Sequence, residues 1–186
     1  MKLVDNAKLA LLAAVAGGTI FVDACKDVLG IAMPYAVDRV VTPALLSQWI
    51  NRYQVEPLAG PASIASVRIL DIPSVSSNCN NVVVAIKQVG DPVLPPSLFI
   101  KLPMDSLATH WFFSVTGSWQ LESEFFKSVA STVPLRTPVT YATASAGSRF
   151  FLIQENLHED PEVTLFTNPD MLEGPSLGLV RRALDT

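Results

Sequence analysis

The sequence predicts an α+β domain built on a five-stranded antiparallel sheet with one packed helix, preceded by an N-terminal helical extension. Short apolar runs bounded by turn residues occur three times before a helical pattern and twice after it. That helical pattern has an apolar face, which a sheet must cover. A chain of 186 residues that is 49% hydrophobic is long and apolar enough to form one such domain.

The first 40 residues form the predicted extension. Within it, residues 9–22 are uncharged and apolar, preceded by Lys2 and Lys8 and ended by Asp23. A helix over this segment spans about 21 Å, which is shorter than the ~30 Å hydrocarbon core of a bilayer. Three interpretations stay open for the segment: a helix that contacts a membrane, a helix packed on the domain, and a cleaved signal sequence.

The domain itself is predicted at residues 41–157 and begins with a helix. Thr42 is a favoured N-cap residue, and Pro43 suits the first helical position because its missing N–H is not needed there. Apolar side chains then recur at helical spacing, at Leu45, Leu46, Trp49, Ile50 and Tyr53.

The five strands follow from apolar runs separated by polar or proline-rich turns. The first three are predicted as an antiparallel meander and the last two as a hairpin, at residues 67–72, 82–89, 98–102, 138–143 and 149–154. The turn at 73–81, between the first two strands, is rich in serine and asparagine.

Lys101 is the residue that most strongly suggests a function, because it stands inside an apolar strand. A strand lysine can face water, or its charge can serve a site. A helix predicted over 119–130 favours a site, since Glu122 shares its apolar face with Leu121, Phe125, Phe126 and Val129. A carboxylate turned inward needs a cationic partner, and we expect Lys101 to be that partner. Glu124 is instead expected to pair with Lys127 on the solvent side.

Composition excludes several classes of function. A net charge of −4 without any cluster of lysine or arginine predicts no binding of nucleic acid. Two distant cysteines and two histidines predict neither a disulfide framework nor a zinc site. We interpret the sequence His158-Glu159-Asp160 as a solvated loop, since no asparagine follows five residues after the aspartate.

Four motifs follow one another along residues 40–160: Phe99-Ile100-Lys101-Leu102-Pro103, Glu122-x-x-Phe125-Phe126, Pro138-x-x-Tyr141 and Leu152-Ile153-Gln154-Glu155-Asn156-Leu157. Taken in this order, they resemble the N-terminal lobe of the aminoglycoside phosphotransferase and choline-kinase-like superfamily, particularly its ecdysteroid-kinase-like (CHK-type) branch. In that branch the last motif more usually reads Glu-Asp-Leu, so Asn156 is a departure.

The resemblance implies a protein-kinase-like small lobe that binds ATP and Mg²⁺, in an enzyme that transfers the γ-phosphate to a hydroxyl of a small molecule. Lys101 would hold the α- and β-phosphates, and Glu122 would orient Lys101. The segment after the last strand would line the adenine, with a plain strand end as the alternative; its residues are Gln154, Glu155, Asn156 and Leu157. The polar turn would lie over the phosphates through Ser76, Ser77 and Asn78.

The same resemblance assigns the catalytic aspartate and the metal ligands to a large lobe, which residues 158–186 are expected only to begin. We therefore expect no catalytic or metal-binding residue in this chain, weak nucleotide binding and no phosphoryl transfer by the chain alone. The small-molecule acceptor stays unknown. The alternative is a non-catalytic kinase-like binding or scaffolding module. The expected location is the cytoplasm, either free or attached to a membrane through residues 9–22.

Overall fold

The computed structural model describes residues 2–70, 79–163, 174 and 176–184. It confirms the α+β class and the five-stranded antiparallel sheet. Single 3₁₀ turns follow the fifth helix and the fifth strand, at Ala130–Thr132 and Leu157–Glu159. The helices are α1 (Lys2–Val28), α2 (Val37–Val40), α3 (Pro43–Arg52), α4 (Leu107–Thr116), α5 (Ser118–Ser128) and α6 (Leu177–Leu184); the strands are β1 (Ile64–Leu70), β2 (Cys79–Gln88), β3 (Ser97–Pro103), β4 (Thr140–Ala146) and β5 (Arg149–Glu155).

The strands form one sheet in the order β1-β2-β3-β5-β4, and all neighbours are antiparallel. The first three strands follow one another as a meander, whereas β5 is inserted between β3 and β4. Every residue of β5 except Glu155 is buried, because the strand has a neighbour on each edge and packed elements on both faces. The order therefore places the strand that carries Lys101 directly beside the strand that ends at the predicted adenine segment.

Both faces of the sheet are covered by apolar side chains. Leu98, Ile100 and Leu102 of β3 join the larger core with α3, where Trp49 stacks on Phe151 at 4.0 Å between ring centroids. The opposite face carries a smaller cluster of Cys79, Trp119, Phe150 and Leu152. Because side chains alternate along a strand, Phe99 and Lys101 belong to this second face.

The start of α3 agrees with the sequence prediction. The Thr42 hydroxyl accepts a hydrogen bond from the backbone N–H of Leu45 (3.3 Å), and Pro43 occupies the first helical position. The predicted apolar side chains Leu46, Trp49 and Ile50 are buried against the sheet.

Two helices connect β3 to β4, where the sequence predicted one helix at 119–130. The helix α4 was missed, and Gly117, with a φ of 66°, separates it from α5. The predicted inward stripe was also wrong in part, since Leu121 is 68% exposed and Val129 is exposed as well. Trp119 and Ser123 are buried instead. Residues 119, 123 and 126 lie on one face at helical spacing, and this is the face of α5 that packs on the sheet.

The polar turn predicted at 73–81 is shorter than expected. Asn80 and Asn81 lie inside β2, opposite Leu102 and Lys101. The Asn80 side chain is accommodated in the strand because its Nδ2 donates to the Pro103 carbonyl at 3.2 Å. The candidate residues Ser76, Ser77 and Asn78 lie outside the described residues.

The helix α1 extends through Lys26 and Asp27 to Val28. Among the described residues, Ala7–Val28 is the one helical segment long and apolar enough to cross a membrane, with a mean hydropathy of 1.6. Only 11% of its most apolar part is buried. The exposed apolar side chains include Leu9, Leu11, Leu12, Val15 and Phe21.

The C-terminal half of α1 is joined to the turn between β4 and β5 by buried polar contacts. Asp23, which is 5% exposed, accepts hydrogen bonds from the backbone N–H and the hydroxyl of Ser148, both at 2.7 Å. Arg149 binds the two carboxylate oxygens of Asp27 and donates to the Met33 carbonyl. This hydrogen-bonded guanidinium lowers the pKa of Asp27. This half of α1 is therefore held against the domain by polar contacts, while the side chains of residues 7–12, 14 and 15 are exposed.

A substitution at Gly147 tests the contact between α1 and the turn that joins β4 to β5. Its φ is 60°, and a Cβ added there would lie 2.4 Å from Oδ2 of Asp23. We expect Gly147→Ala to lower the free energy of unfolding by about 2–3 kcal/mol, because it combines left-handed backbone strain with displacement of a buried carboxylate. Urea denaturation measures the change.

Gly90→Ala is the matched control. Gly90 has a φ of 76°, but no atom lies within 4 Å of its added Cβ. This variant should lose only the strain of about 1–2 kcal/mol. Equal losses in the two variants would contradict the close contact between Gly147 and Asp23.

Candidate functional site

Lys101 of β3 and Glu122 of α5 form an ion pair, with 2.6 Å between Nζ and Oε1. Their side chains are 22% and 30% exposed, so the pair is largely covered yet open to solvent. Glu124 pairs with Lys127 at 2.9 Å on the surface. Both pairings agree with those predicted from the sequence. The functional role of Lys101 and Glu122 stays a prediction.

Apolar and hydroxyl contacts of α5 position Glu122. The Trp119 ring stacks between Phe113 (4.8 Å) and Phe150 (5.2 Å), with the rings nearly parallel. One turn later, the Ser123 hydroxyl is hydrogen-bonded to that of Thr143 at 3.0 Å. Since Glu122 immediately precedes Ser123, these buried contacts fix the direction in which its carboxylate leaves the helix. The spacing of Trp119, Ser123 and Phe126 is the sequence signal that could have identified this face.

Asn81 lies directly across from Lys101 in the pairing of β2 with β3, so their side chains share a face of the sheet. Its Oδ1 is buried and has no hydrogen-bond partner among the described residues. An unpartnered buried carbonyl is costly, and a bound molecule with a donor would satisfy it. Asn81 is thus a candidate site residue that the sequence prediction missed, because it placed this residue in the turn.

A cavity of about 220 Å³ lies at the end of β5. Phe99 lines this cavity and stands on the same face of β3 as Lys101, two residues away. The cavity and the ion pair are therefore separated by roughly 7 Å along one strand. Its lining residues are Phe99, Pro138, Gln154, Glu155, Leu157 and His158.

The four residues predicted to line adenine do not behave alike. Gln154, Glu155 and Leu157 line the cavity, although the Gln154 amide is also tied to the Thr140 hydroxyl at 2.9 Å. Asn156 is absent from the lining. Its Nδ2 donates to the Ser97 hydroxyl, and its Oδ1 accepts from the backbone N–H of His158. In this arrangement Asn156 caps the 3₁₀ turn that closes the segment.

The charges near the cavity are paired with each other. Arg136 reaches both Glu155 (3.3 Å) and Asp160 (2.7 Å). A hydrogen bond from the backbone N–H of Glu162, together with Arg136, lowers the pKa of Asp160. The described part of the chain contains no group of three His, Cys, Asp or Glu side chains that could hold a metal ion.

Comparison with known proteins gave no match for this chain: no protein-family model, no curated protein and no solved structure matches it.

The ion pair should contribute little to folding. Lys101→Met and Glu122→Gln should each change the free energy of unfolding by less than about 1 kcal/mol, because partly solvated pairs are weak. Trp119→Ala should cost about 3–5 kcal/mol, because it removes a buried, stacked indole. Urea denaturation of the three variants checks both values. A loss above about 2 kcal/mol in Glu122→Gln would show that the pair holds the fold together rather than serving a ligand.

Proposed function

We propose that this chain carries the nucleotide-binding small lobe of an ATP-dependent phosphotransferase that acts on a hydroxyl of a small molecule. Its fold would be that of the protein-kinase-like small lobe, as in the aminoglycoside phosphotransferase and choline-kinase-like superfamily. The observation that carries this proposal is the ion pair of Lys101 with Glu122, on the same sheet face as the cavity at the end of β5. A strand lysine held by a helix carboxylate is how kinase-fold enzymes hold nucleotide phosphates.

Lys101 would bind the phosphates. An ammonium group has three donors, and one of them is directed at Glu122. The remaining two can bind phosphate oxygens, which approach through the exposed part of the pair. Glu122 would keep the flexible lysine side chain in place. The Oδ1 of Asn81 adds an acceptor beside them, suited to a hydroxyl of the ligand.

The cavity at the end of β5 would take the adenine. Phe99, Pro138 and Leu157 give it apolar walls, which suit a flat aromatic base. Gln154 and Glu155 would add polar edges. The distance of roughly 7 Å along β3 leaves room for a ribose between the base and the phosphates.

The proposed role of these residues is to bind and orient the nucleotide. The general base and the Mg²⁺ ligands belong to the large lobe in the superfamily that the sequence resembles. No catalytic step is therefore assigned to the described residues.

The alternative function is that of a non-catalytic binding or scaffolding module. For either function, the exposed apolar side chains of α1 favour a location at a membrane. The exposed apolar residues Leu9, Leu11, Leu12 and Val15 would enter the lipid. The carboxylates of Asp23 and Asp27 are hydrogen-bonded to Ser148 and Arg149, so their charges do not face the lipid. We accordingly propose a cytoplasmic protein attached to the membrane through residues 9–22.

Nucleotide binding tests the proposed site. Lys101→Met should weaken the affinity for a non-hydrolysable ATP analogue with Mg²⁺ by about tenfold or more, because charge-assisted bonds to phosphate are lost. Isothermal titration measures the affinity. Lys127→Met is the control, since Lys127 has a similar glutamate partner on the surface. Unchanged affinity in Lys101→Met, or an equal loss in Lys127→Met, would contradict the site.

Vesicle binding tests the proposed attachment. The variant Leu11→Glu with Val15→Glu places two charges on the exposed side of α1, and each would cost about 2–3 kcal/mol in the bilayer interior. We expect flotation with zwitterionic vesicles to be lost. Val89→Glu adds a charge at another exposed apolar residue and should float like the unmodified protein. Flotation that survives the double substitution would exclude attachment through α1.

A further inference from the structure

A second cavity, of about 210 Å³, lies between α1, the start of α4 and the turn that follows β4. It shares no lining residue with the cavity at the end of β5. Asp23, Asp27, Asp105 and Arg149 give its lining three negative charges against one positive charge, so a balance of −2 remains. An acidic cavity of this kind attracts cations and disfavours anions.

Two of the carboxylates keep an oxygen for a ligand. The bonds from Ser148 both end on Oδ2 of Asp23. The Tyr35 hydroxyl donates to Oδ1 of Asp105 at 3.3 Å. Among the described residues, the second oxygen of each carboxylate is thus left to accept from a donor in the cavity. Asp27 is held by Arg149 and is less available.

Two buried groups of the lining have no hydrogen-bond partner among the described residues, the Nε donor of Arg149 and a ring nitrogen of His110. Of these two residues, His110 is the one that lacks a donor. It lines the cavity and is 7% exposed. Its Nδ1 lies 2.9 Å from the Ser148 carbonyl, which can only accept, so Nδ1 carries the proton. Burial lowers the pKa of His110, which keeps the ring neutral. The lone pair of Nε2 is therefore buried, and it has no partner among the described residues.

An apolar groove of about 660 Å³ continues from this cavity between α1 and α4. The cavity and the groove share Ile20, Ala24 and Leu107. Beyond these residues the groove is lined by Gly17, Phe21, Ala108 and Trp111. The two spaces form one cleft, acidic at one end and apolar at the other.

We propose that this cleft binds an amphiphile with a single alkyl chain and a protonated amine head. The amine lies in the acidic cavity, where its N–H groups donate to the oxygens of Asp23 and Asp105. The chain lies in the groove and covers Phe21 and Trp111. An anionic head of the same chain length would meet like charges in the cavity and is disfavoured. This binding is independent of the proposed nucleotide site.

Trp111 provides the signal for a test on the full chain. The protein has three tryptophans, and Trp49 and Trp119 are 5% and 1% exposed, whereas Trp111 is 42% exposed. Titration with dodecylamine, below its micelle concentration, should shift the Trp111 fluorescence to shorter wavelength. Dodecanol and dodecanoate are the matched ligands. We expect dodecylamine to bind about tenfold or more tightly than dodecanoate, with dodecanol between them.

Two glycine variants distinguish binding of the alkyl chain in the groove from non-specific adsorption of the chain to the apolar surface of α1. A Cβ added at Gly17 or at Gly18 meets no atom within 4 Å, so leucine fits on α1 at either position. Only Gly17 lines the groove. Gly17→Leu should weaken dodecylamine binding by about tenfold or more, since it occupies the space of several methylene groups. Gly18→Leu should bind like the unmodified protein.

Asp105→Asn tests the head group. Asp105 is exposed, so this variant should fold normally, lower the affinity for dodecylamine by roughly threefold and leave dodecanol unaffected. Equal affinities for the three ligands, or equal effects of the two glycine variants, would overturn the proposal. Either result would mean that the apolar surface simply adsorbs alkyl chains, as it would a bilayer.

Discussion

The insertion of β5 between β3 and β4 brings the other elements of the domain together. This strand is hydrogen-bonded on both edges and buried on both faces. The turn before it and its first residue hold α1 through Ser148 and Arg149, and Phe150 supports the tryptophan that anchors α5. Its last residues line the cavity beside β3. A single buried strand therefore connects the N-terminal helix, the helix that carries Glu122 and the proposed adenine site.

At the candidate site, the contacts that stabilise the fold are different from those of the charged pair. The buried Trp119 and Ser123 fix α5 on the sheet, whereas Lys101 and Glu122 meet at the partly exposed edge of that contact. Apolar burial supplies most of the free energy that orders the helix. The ion pair is expected to add little to the stability of the fold, which would leave both charges available to a ligand. At α1, buried polar contacts hold the C-terminal half of the helix, whereas most side chains from residue 7 to residue 15 are exposed.

The sequence was sufficient to predict the sheet, α3 and the pairing of Lys101 with Glu122. Alternation, capping residues and the cost of an unpaired inward charge are all local signals. The inward stripe of α5 was partly wrong, because several apolar residues were taken as buried when Trp119 and Ser123 hold that face. The contact of Asp23 with Ser148 joins residues 125 positions apart, so it had no local signal. The same is true of Asn81, whose importance depends on its register against Lys101.

Nuclear magnetic resonance of the ¹⁵N-labelled protein, titrated with a non-hydrolysable ATP analogue and Mg²⁺, tests whether the chain is a nucleotide-binding lobe. In the proposed complex the base lies beside Phe99 and Leu157, and the phosphates lie beside Lys101 and Asn81. The backbone amide signals of these residues should therefore shift together and saturate with one affinity, while those of α1 stay unchanged. Shifts confined to other surfaces, or no shifts at millimolar nucleotide, would contradict a nucleotide-binding lobe.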